Sequence, residues 1–167
     1  AAVPHPPPGR RPPAERDALV ELANPRLLLG VARGTYPGRA CLPGPYVPSA
    51  VVATSLLRAA AGPSQQERVL PAMALGDRRC ALAITEESAT LEPEAIGLRG
   101  EVGGRLNGRK LFVQDAHVAH DLLVATRGGG GINLFLVARE QRGISLAPMT
   151  VMSGEKLFEV RCADVEL

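Results

Sequence analysis

The residues of this sequence that could do acid–base, nucleophilic or metal chemistry are few and scattered. Glu86 and Glu87 are adjacent carboxylates, but no partner for acid–base chemistry lies near them, so we interpret them as a solvated strand end. His117 and His120 have no third ligand at a metal-binding spacing, so we predict no metal site. Since no Ser-His-Asp or Cys-His pattern stands out either, we assign no catalytic residue.

A run of glycines from Gly128 to Gly131 has the composition of a phosphate-binding loop. Such a loop opens a helix, so that backbone N–H groups and the helix dipole face the anion. Here the glycines lead instead into the apolar, alternating run Ile132–Ala138. We therefore predict a hairpin loop over Arg127–Gly131 rather than a phosphate site.

The elements that must position any site are organised around the stretch Gly103–Ala125. Within it, Asn107 and Gly108 predict a tight hairpin turn, because a type I′ turn needs positive φ at both central residues. Phe112 and Gln114 share one face of the following strand, because side chains alternate along a strand. The centre of the chain is therefore predicted to be an antiparallel meander.

From Arg79 onward the sequence contains seven short apolar or alternating runs separated by turn signals. This pattern predicts an antiparallel β-barrel or sandwich. The predicted strands are Cys80–Thr85, Ile96–Val102, the run with Leu111–Gln114 that follows the Asn107-Gly108 turn, Asp121–Thr126, Ile132–Ala138, Ile144–Leu146 and Leu157–Leu167.

Before Arg79 the hydrophobic spacing predicts helices, first over Glu15–Ala23. Ser49 is the predicted N-cap of a helix over Ala50–Ala61, and a capping box predicts a further helix over Gln65–Leu75. The chain is thus predicted to be α+β by content. We divide it into a Pro-rich tail over 1–13, a partial helical domain over 14–78 and a β-barrel domain over 79–167.

Composition restricts the class of protein. The net charge is +2, charged residues make up 22%, and aromatic residues make up 3% with no Trp, which predicts no nucleic-acid surface. No apolar run is long enough to span a bilayer, so we predict no membrane association. The three cysteines, Cys41, Cys80 and Cys162, lie far apart, which predicts free thiols in a reducing compartment, the cytoplasm.

The order of these signals resembles the acyl-CoA dehydrogenase family, in particular the type common in actinobacteria. The resemblance covers roughly Leu42 to Leu167, and the joint order and spacing of its segments carry it. The similar segments are Leu42–Ser49, Gly62–Gly76, Cys80–Glu86, Leu106–Val113, Asp115–Val124 and Val160–Leu167.

The resemblance implies a helical N-terminal part followed by the family's β-barrel middle domain. It implies a FAD-dependent oxidoreductase of fatty acid or lipid metabolism that introduces an α,β double bond into an acyl-CoA thioester. It also implies a homo- or hetero-oligomer. In the family, a third, helical-bundle domain carries the glutamate that removes the α-proton, and no residue of this chain matches it.

By position, five residues resemble those that contact the flavin in the family. Leu82, Ile84 and Thr85 resemble residues that line the isoalloxazine ring. Phe112 and Gln114 resemble the Trp and Thr of the next flavin-contacting strand. The residue types suit this role, because Phe112 offers an aromatic face, and Thr85 and Gln114 offer polar groups.

The chain departs from the family just after Thr85, where the family often has Thr-Glu-Pro-Gly-Ala-Gly-Ser-Asp. Thr90 and Leu91 replace a small Gly-Ser pair, and Glu87 and Glu92 add negative charge that disfavours a nearby pyrophosphate. The departures favour weak or absent FAD in this chain. They leave two alternatives open: a cofactor-poor partner subunit of a mixed oligomer, or a truncated barrel that binds or cyclises an acyl-type small molecule.

Overall fold

A computed structural model of the protein describes Val20–Glu21 and residues 44–167. The predicted Pro-rich tail and Cys41 lie outside the described residues. The described part contains a helical layer, a four-stranded sheet and a three-stranded sheet. The strands and helices are β1 (Val20–Glu21), a π-helix (Tyr46–Ala53), α1 (Thr54–Ala60), α2 (Pro63–Ala74), β2 (Cys80–Ala83), β3 (Arg105–Gln114), β4 (Asp121–Gly128), β5 (Gly131–Ala138), β6 (Ile144–Met149) and β7 (Leu157–Glu166).

The four-stranded sheet has the order β1-β5-β4-β2. Strand β2 runs parallel to β4, whereas β4 and β5 form an antiparallel hairpin in which Gly128 pairs with Gly131. The predicted glycine-rich hairpin loop is therefore confirmed. The three-stranded sheet has the order β3-β7-β6 and is antiparallel throughout.

The strand-rich second part is confirmed, but its two sheets do not close into a barrel among the described residues. The sheets pack face to face around one apolar cluster, which includes Leu122, Phe135 and Val160. The helices cover the other face of the four-stranded sheet, where Leu57 and Val69 are buried. A parallel β2–β4 pair leaves β2 at the edge of its sheet rather than within a continuous ladder.

The N-terminal helix predictions need correction. Val20–Glu21, inside the predicted helix Glu15–Ala23, forms strand β1 against Asn133 and Leu134 of β5. The predicted helix has nine residues, and isolated helices shorter than about twelve residues are marginal, so pairing with an open sheet edge prevails.

Ser49 is not an N-cap, because the helical segment already begins at Tyr46 with π-helical turns. The Ser49 hydroxyl instead accepts a hydrogen bond from the backbone N–H of Cys80 at 3.1 Å. It thereby ties the helical layer to the first residue of β2. The cap of α2 also differs: Gln65 Oε1 accepts from the Gly62 N–H at 3.1 Å, and Pro63 occupies the first helical position.

The predicted tight turn at Asn107 and Gly108 is wrong. Strand β3 runs straight through both residues, with a register shift against β7 between Leu106 and Gly108. Asn107 Oδ1 accepts a hydrogen bond from the Asp164 N–H at 2.8 Å. The extra residue at this shift lies in β7, where Asp164 has a φ of +57°, so β3 stays extended through Asn107 and Gly108.

The predicted strand Ile96–Val102 is also wrong. A short 3₁₀ helix, Pro93–Ala95, precedes it, and only an isolated bridge from Arg99 to Arg127 belongs to a sheet. The alternating pattern is present, but a side chain rather than a strand satisfies part of this backbone. The carboxylate of Glu86 accepts hydrogen bonds from the N–H groups of Gly97 and Leu98, both at 3.0 Å.

Candidate functional site

The two sheets meet at the end of β2, where two predicted flavin-contacting segments come together. The backbone N–H of Leu111 in β3 donates a hydrogen bond to the carbonyl of Thr85 at 2.8 Å. Phe112 follows Leu111 directly in the chain. The Thr85 carbonyl and the strand that contains Phe112 therefore lie side by side.

Phe112 occupies a strained position in β3. Its φ is +55°, and the register of β3 against β7 shifts between Lys110 and Val113. The Phe112 N–H donates to Met149 Sδ at 3.4 Å, and 41% of the residue is exposed. β-Bulges re-aim side chains next to functional sites, and a left-handed non-glycine residue is a feature that a fold keeps at some cost. Phe112 is thus partly exposed to solvent instead of being packed in the core.

Thr85 and Gln114 are half-buried polar residues whose backbones lie beside or just after Phe112 in the two segments. Gln114 ends β3 opposite Leu157, two residues after Phe112. Within Val20–Glu21 and residues 44–167, neither the Thr85 hydroxyl nor the Gln114 amide takes part in a hydrogen bond. Both groups therefore remain able to bind the polar edge of an aromatic ligand, so the residues present fit a flavin ring.

The structure places Leu82 and Ile84 differently from Phe112. Both side chains are partly buried and pack against the cluster between the helical layer and the four-stranded sheet. Ala81 and Ala83 point to the opposite cluster, between the two sheets, as strand alternation requires. The backbone bond between Leu111 and Thr85 thus brings Thr85 next to Phe112. The side chains of Leu82 and Ile84 face away from this contact, toward the helical layer.

A buried ion pair lies beneath the meeting point of the two sheets. The side chain of Lys110 is fully buried, and its Nζ donates to Glu86 Oε1 at 2.7 Å and to the Ile84 carbonyl at 3.1 Å. Sequence analysis missed this role, interpreting Glu86 as a solvated strand end and giving Lys110 none. The sequence could have indicated this burial, because Lys110 is four residues after the buried Leu106 and therefore lies on the same face of the strand.

The two charges affect each other in a low-dielectric setting. Burial lowers the pKa of Lys110 from its ordinary value, more than the hydrogen bond and charge of Glu86 raise it. Burial also raises the pKa of Glu86, but hydrogen bonds from Lys110 and from the Leu98 and Gly97 N–H groups outweigh that effect and lower it overall. The carboxylate is therefore ionised at neutral pH and is held by three donors.

A surface groove of about 740 Å³ adjoins the ion pair. Its charged walls are matched in pairs, because Arg109 binds Glu87 and Arg161 binds Glu159. Arg109 Nη1 also lies 3.6 Å from Glu159 Oε1, which bridges the two arginines. The groove is lined by Glu86, Glu87, Ser88, Ala95, Leu98, Asn107, Gly108, Arg109, Arg161, Cys162 and Ala163.

The two histidines singled out by the sequence lie in separate surroundings. The ring of His117 stacks on that of Phe158, with centroids 4.8 Å apart, and His120 Nδ1 accepts from the Arg79 N–H at 3.0 Å. In residues 44–167 no group of three or more His, Cys, Asp or Glu side chains could hold a metal ion. No helix of the described part is long and apolar enough to cross a membrane.

Comparison with known proteins finds relatives over part of the chain, although no family model matches it. The chain is 32% identical over 89 residues to a 3-(aryl)acrylate reductase of Clostridium sporogenes (strain ATCC 15579), covering 48% of this chain and 24% of the relative. It is 32% identical over 93 residues to a mitochondrial 2-methylacyl-CoA dehydrogenase of Solanum tuberosum, covering 51% and 23%. The chain therefore spans about a quarter of the length of these curated relatives.

Solved structures share the fold over a larger part of the chain. The Tcur3481–Tcur3483 steroid ACAD, an acyl-CoA dehydrogenase, matches 77% of this chain and 36% of its own with a TM-score of 0.66 and 25% identity. The ChsE4–ChsE5 complex of Mycobacterium tuberculosis matches 74% and 33%, with a TM-score of 0.63 and 24% identity. A glutaryl-CoA dehydrogenase of Mycobacterium smegmatis in complex with FADH2 matches 69% and 31%, with a TM-score of 0.61 and 21% identity. These findings confirm the resemblance: the neighbours of this chain in sequence and in fold include acyl-CoA dehydrogenases, matched over part of its length.

Proposed function

We propose that this chain supplies the flavin-contacting β part of a FAD-dependent acyl-CoA dehydrogenase, an oxidoreductase that forms an α,β double bond in an acyl-CoA thioester. The observation that carries the proposal is the hydrogen bond from the Leu111 N–H to the Thr85 carbonyl at 2.8 Å. It joins the two segments that resemble the family's flavin-contacting strands, and it does so next to an exposed aromatic ring.

Each residue of this site has a distinct task in the proposal. The ring of Phe112 stacks against the flavin, the Thr85 hydroxyl and Gln114 amide bind its polar edge, and Leu82 and Ile84 support the strand from the helical side. Bound FAD would supply the acceptor for the hydride that leaves the substrate β-carbon. We assign no catalytic base, because no described residue matches the family's glutamate.

The charges next to the site support FAD binding more than the sequence alone suggests. Glu87 adds negative charge by sequence, but Arg109 Nε donates to it at 3.1 Å, so the pair adds no net charge. Glu86 is paired with Lys110 in the same way. A pyrophosphate in the adjoining groove would thus meet paired carboxylates rather than free ones, and the repulsion expected from Glu87 is offset.

Titration of the purified chain with FAD tests the proposal, with quenching of flavin fluorescence as the measurement. Phe112→Ala should weaken FAD affinity about tenfold, the scale of losing one aromatic stack. Leu75→Ala is the matched control, because Leu75 is 78% exposed at the end of α2 and lies in the helical layer. Absence of FAD binding by the wild-type chain, or equal affinity of both variants, would contradict the proposal.

A cofactor-poor partner subunit of a mixed oligomer is the second candidate. One observation favours it: two of its structural neighbours are named as pairs, ChsE4–ChsE5 and Tcur3481–Tcur3483. Light scattering after size exclusion, alone and with an acyl-CoA dehydrogenase-like chain from the same genome, tests it. A stable mixed complex without bound flavin on this chain supports this candidate, and a flavin-loaded homo-oligomer supports the first.

The first proposal, a FAD-dependent acyl-CoA dehydrogenase, also implies an acyl-CoA substrate and a homo- or hetero-oligomer in the cytoplasm. A reducing compartment agrees with the two described cysteines, Cys80 and Cys162, which are buried free thiols.

A further inference from the structure

We infer that Lys110 is a positioning residue: its buried ammonium group holds the end of β2 against β3 and so fixes Thr85 relative to Phe112. The inference rests on the proposed function, because the two residues that it positions are the proposed flavin contacts. Lys110 itself would not touch the flavin, since its side chain is fully buried beneath the site.

Consecutive residues of β3 hold consecutive carbonyls of the neighbouring strand end. Lys110 Nζ donates to the Ile84 carbonyl at 3.1 Å, and the Leu111 N–H donates to the Thr85 carbonyl at 2.8 Å. Phe112, the next residue, adopts its left-handed conformation immediately after these two bonds. The Leu111 backbone binds one carbonyl at the end of β2, and the Lys110 side chain adds a bond to the carbonyl before it.

The same ammonium group also organises the loop that follows the site. Lys110 Nζ donates to Glu86 Oε1 at 2.7 Å. The two oxygens of Glu86 in turn accept the Leu98 and Gly97 N–H groups, each at 3.0 Å. The ion pair therefore connects β3, the end of β2 and the return of the 86–98 loop through one pair of side chains.

Stability alone does not account for a lysine at this position. Replacing a buried ion pair by apolar residues of similar volume is often neutral or stabilising, since removing two charges from water is costly. An apolar side chain at position 110 would fill the space between the sheets as well. It would not donate to the Ile84 carbonyl or orient the Glu86 carboxylate, and these are the contacts that define the relative position of the two segments.

The test compares Lys110→Met, which keeps the unbranched stem, with Arg105→Met. Arg105 is the matched control because it is another cation of β3, it pairs with Asp164 at the surface, and it does not line the groove. Amide hydrogen exchange is measured without FAD, and FAD affinity is measured by fluorescence titration. In Lys110→Met we expect protection of the Gly97, Leu98 and Leu111 amides to fall about tenfold, and FAD affinity to fall by a similar factor.

Arg105→Met should change neither quantity beyond twofold, and exchange in β4 and β5 should stay at the wild-type level in both variants. Unchanged protection at the three amides in Lys110→Met would overturn the inference. A uniform loss of protection through β4 and β5 would overturn it as well, because it would show a general contribution to folding.

Two further variants keep the test decisive. If Lys110→Met does not fold, Glu86→Gln removes the charge of the partner at nearly constant volume, and the same local loss of protection is expected. In the double variant Lys110→Met/Glu86→Gln, the losses of amide protection should not add, because both changes break the same ion pair. Additive losses would contradict the inference. If the wild-type chain binds no FAD, the proposed function fails, while hydrogen exchange still decides whether Lys110 holds the two segments together.

Discussion

Lys110 Nζ lies 2.7 Å from Glu86 Oε1, and the two side chains differ in burial: the lysine is fully buried, while 19% of the glutamate is exposed. Water therefore reaches the carboxylate more easily than the ammonium group. Burial lowers the pKa of Lys110, whereas the donors around Glu86 outweigh its burial and lower the pKa of that carboxyl. The ion pair is therefore best tested by lowering the pH, which protonates the Glu86 carboxylate, rather than by raising it to deprotonate Lys110.

The pH dependence of stability should reveal the Glu86 carboxylate. A carboxyl whose pKa is lower in the folded protein contributes stability above its unfolded pKa and loses it as the pH falls through the folded value. Because the pKa of Glu86 lies below its ordinary value of 4.5, the free energy of unfolding should decrease as the pH falls below 4.5. Urea unfolding over this range should show a smaller decrease for Glu86→Gln. An identical slope in wild type and variant would contradict the prediction.

Gly108→Val should destabilise the protein by about 2 kcal/mol or more, which is the scale of overpacking a core. The reason is not a hairpin turn. A Cβ added at Gly108 would lie 2.5 Å from Leu98 Cδ1, and the φ of Gly108 is +153°. Chemical denaturation measures the loss. Gly130→Val is the matched control, because a Cβ there meets no atom within 4 Å and φ lies outside the positive region; equal losses at both sites would count against the steric argument.

How much the sequence predicts depends on where each backbone segment finds its partner. The β4–β5 hairpin was predictable, because dense alternation and a glycine loop place both strands close together in the chain. The run from Ile96 was not, because the N–H groups of Gly97 and Leu98 are satisfied by the side chain of Glu86, more than ten residues earlier. Periodicity reports which face is buried, but it does not report whether a strand or a carboxylate completes the hydrogen bonds.

The candidate site shows the same limit. The bulge between Lys110 and Val113 changes the parity of β3 there, so both residues are buried although simple alternation would place them on opposite faces. Asn107 and Gly108 looked like a turn, but the register shift beside them is a bulge in β7, where Asp164 has a φ of +57°. Only the long-range pairing with β7 distinguishes an extended β3 from a chain reversal at this point.

The thiols of Cys80 and Cys162 should be unreactive in the native protein. Burial raises the pKa of Cys80 to about 12 and that of Cys162 to about 11, so the reactive thiolate is scarce at neutral pH. Titration with a thiol reagent under native conditions should leave both unmodified, as identified by peptide mass. After denaturation without reductant, all three cysteines of the chain should react. A pair that stays unreactive when unfolded would reveal a disulfide.

The last prediction separates the backbone strain at Phe112 from the function of its ring. Phe112→Ala and Phe112→Gly both remove the ring, so both should weaken FAD binding to the same extent. Their stabilities should differ, because φ at this position is +55°, a conformation that costs an L-residue roughly 1 kcal/mol and costs glycine almost nothing. We therefore expect Phe112→Gly to be more stable than Phe112→Ala by about 1 kcal/mol in urea unfolding, although glycine is the more flexible residue when unfolded.

Val113 provides the control for this comparison, since it is the next residue in β3, is buried and lies outside the positive-φ group. At Val113 the order should reverse, with the alanine variant more stable than the glycine variant. If alanine is also the more stable choice at Phe112, then the left-handed conformation is not maintained in solution. In that case the bulge does not present the ring, and the site would have to be built without it.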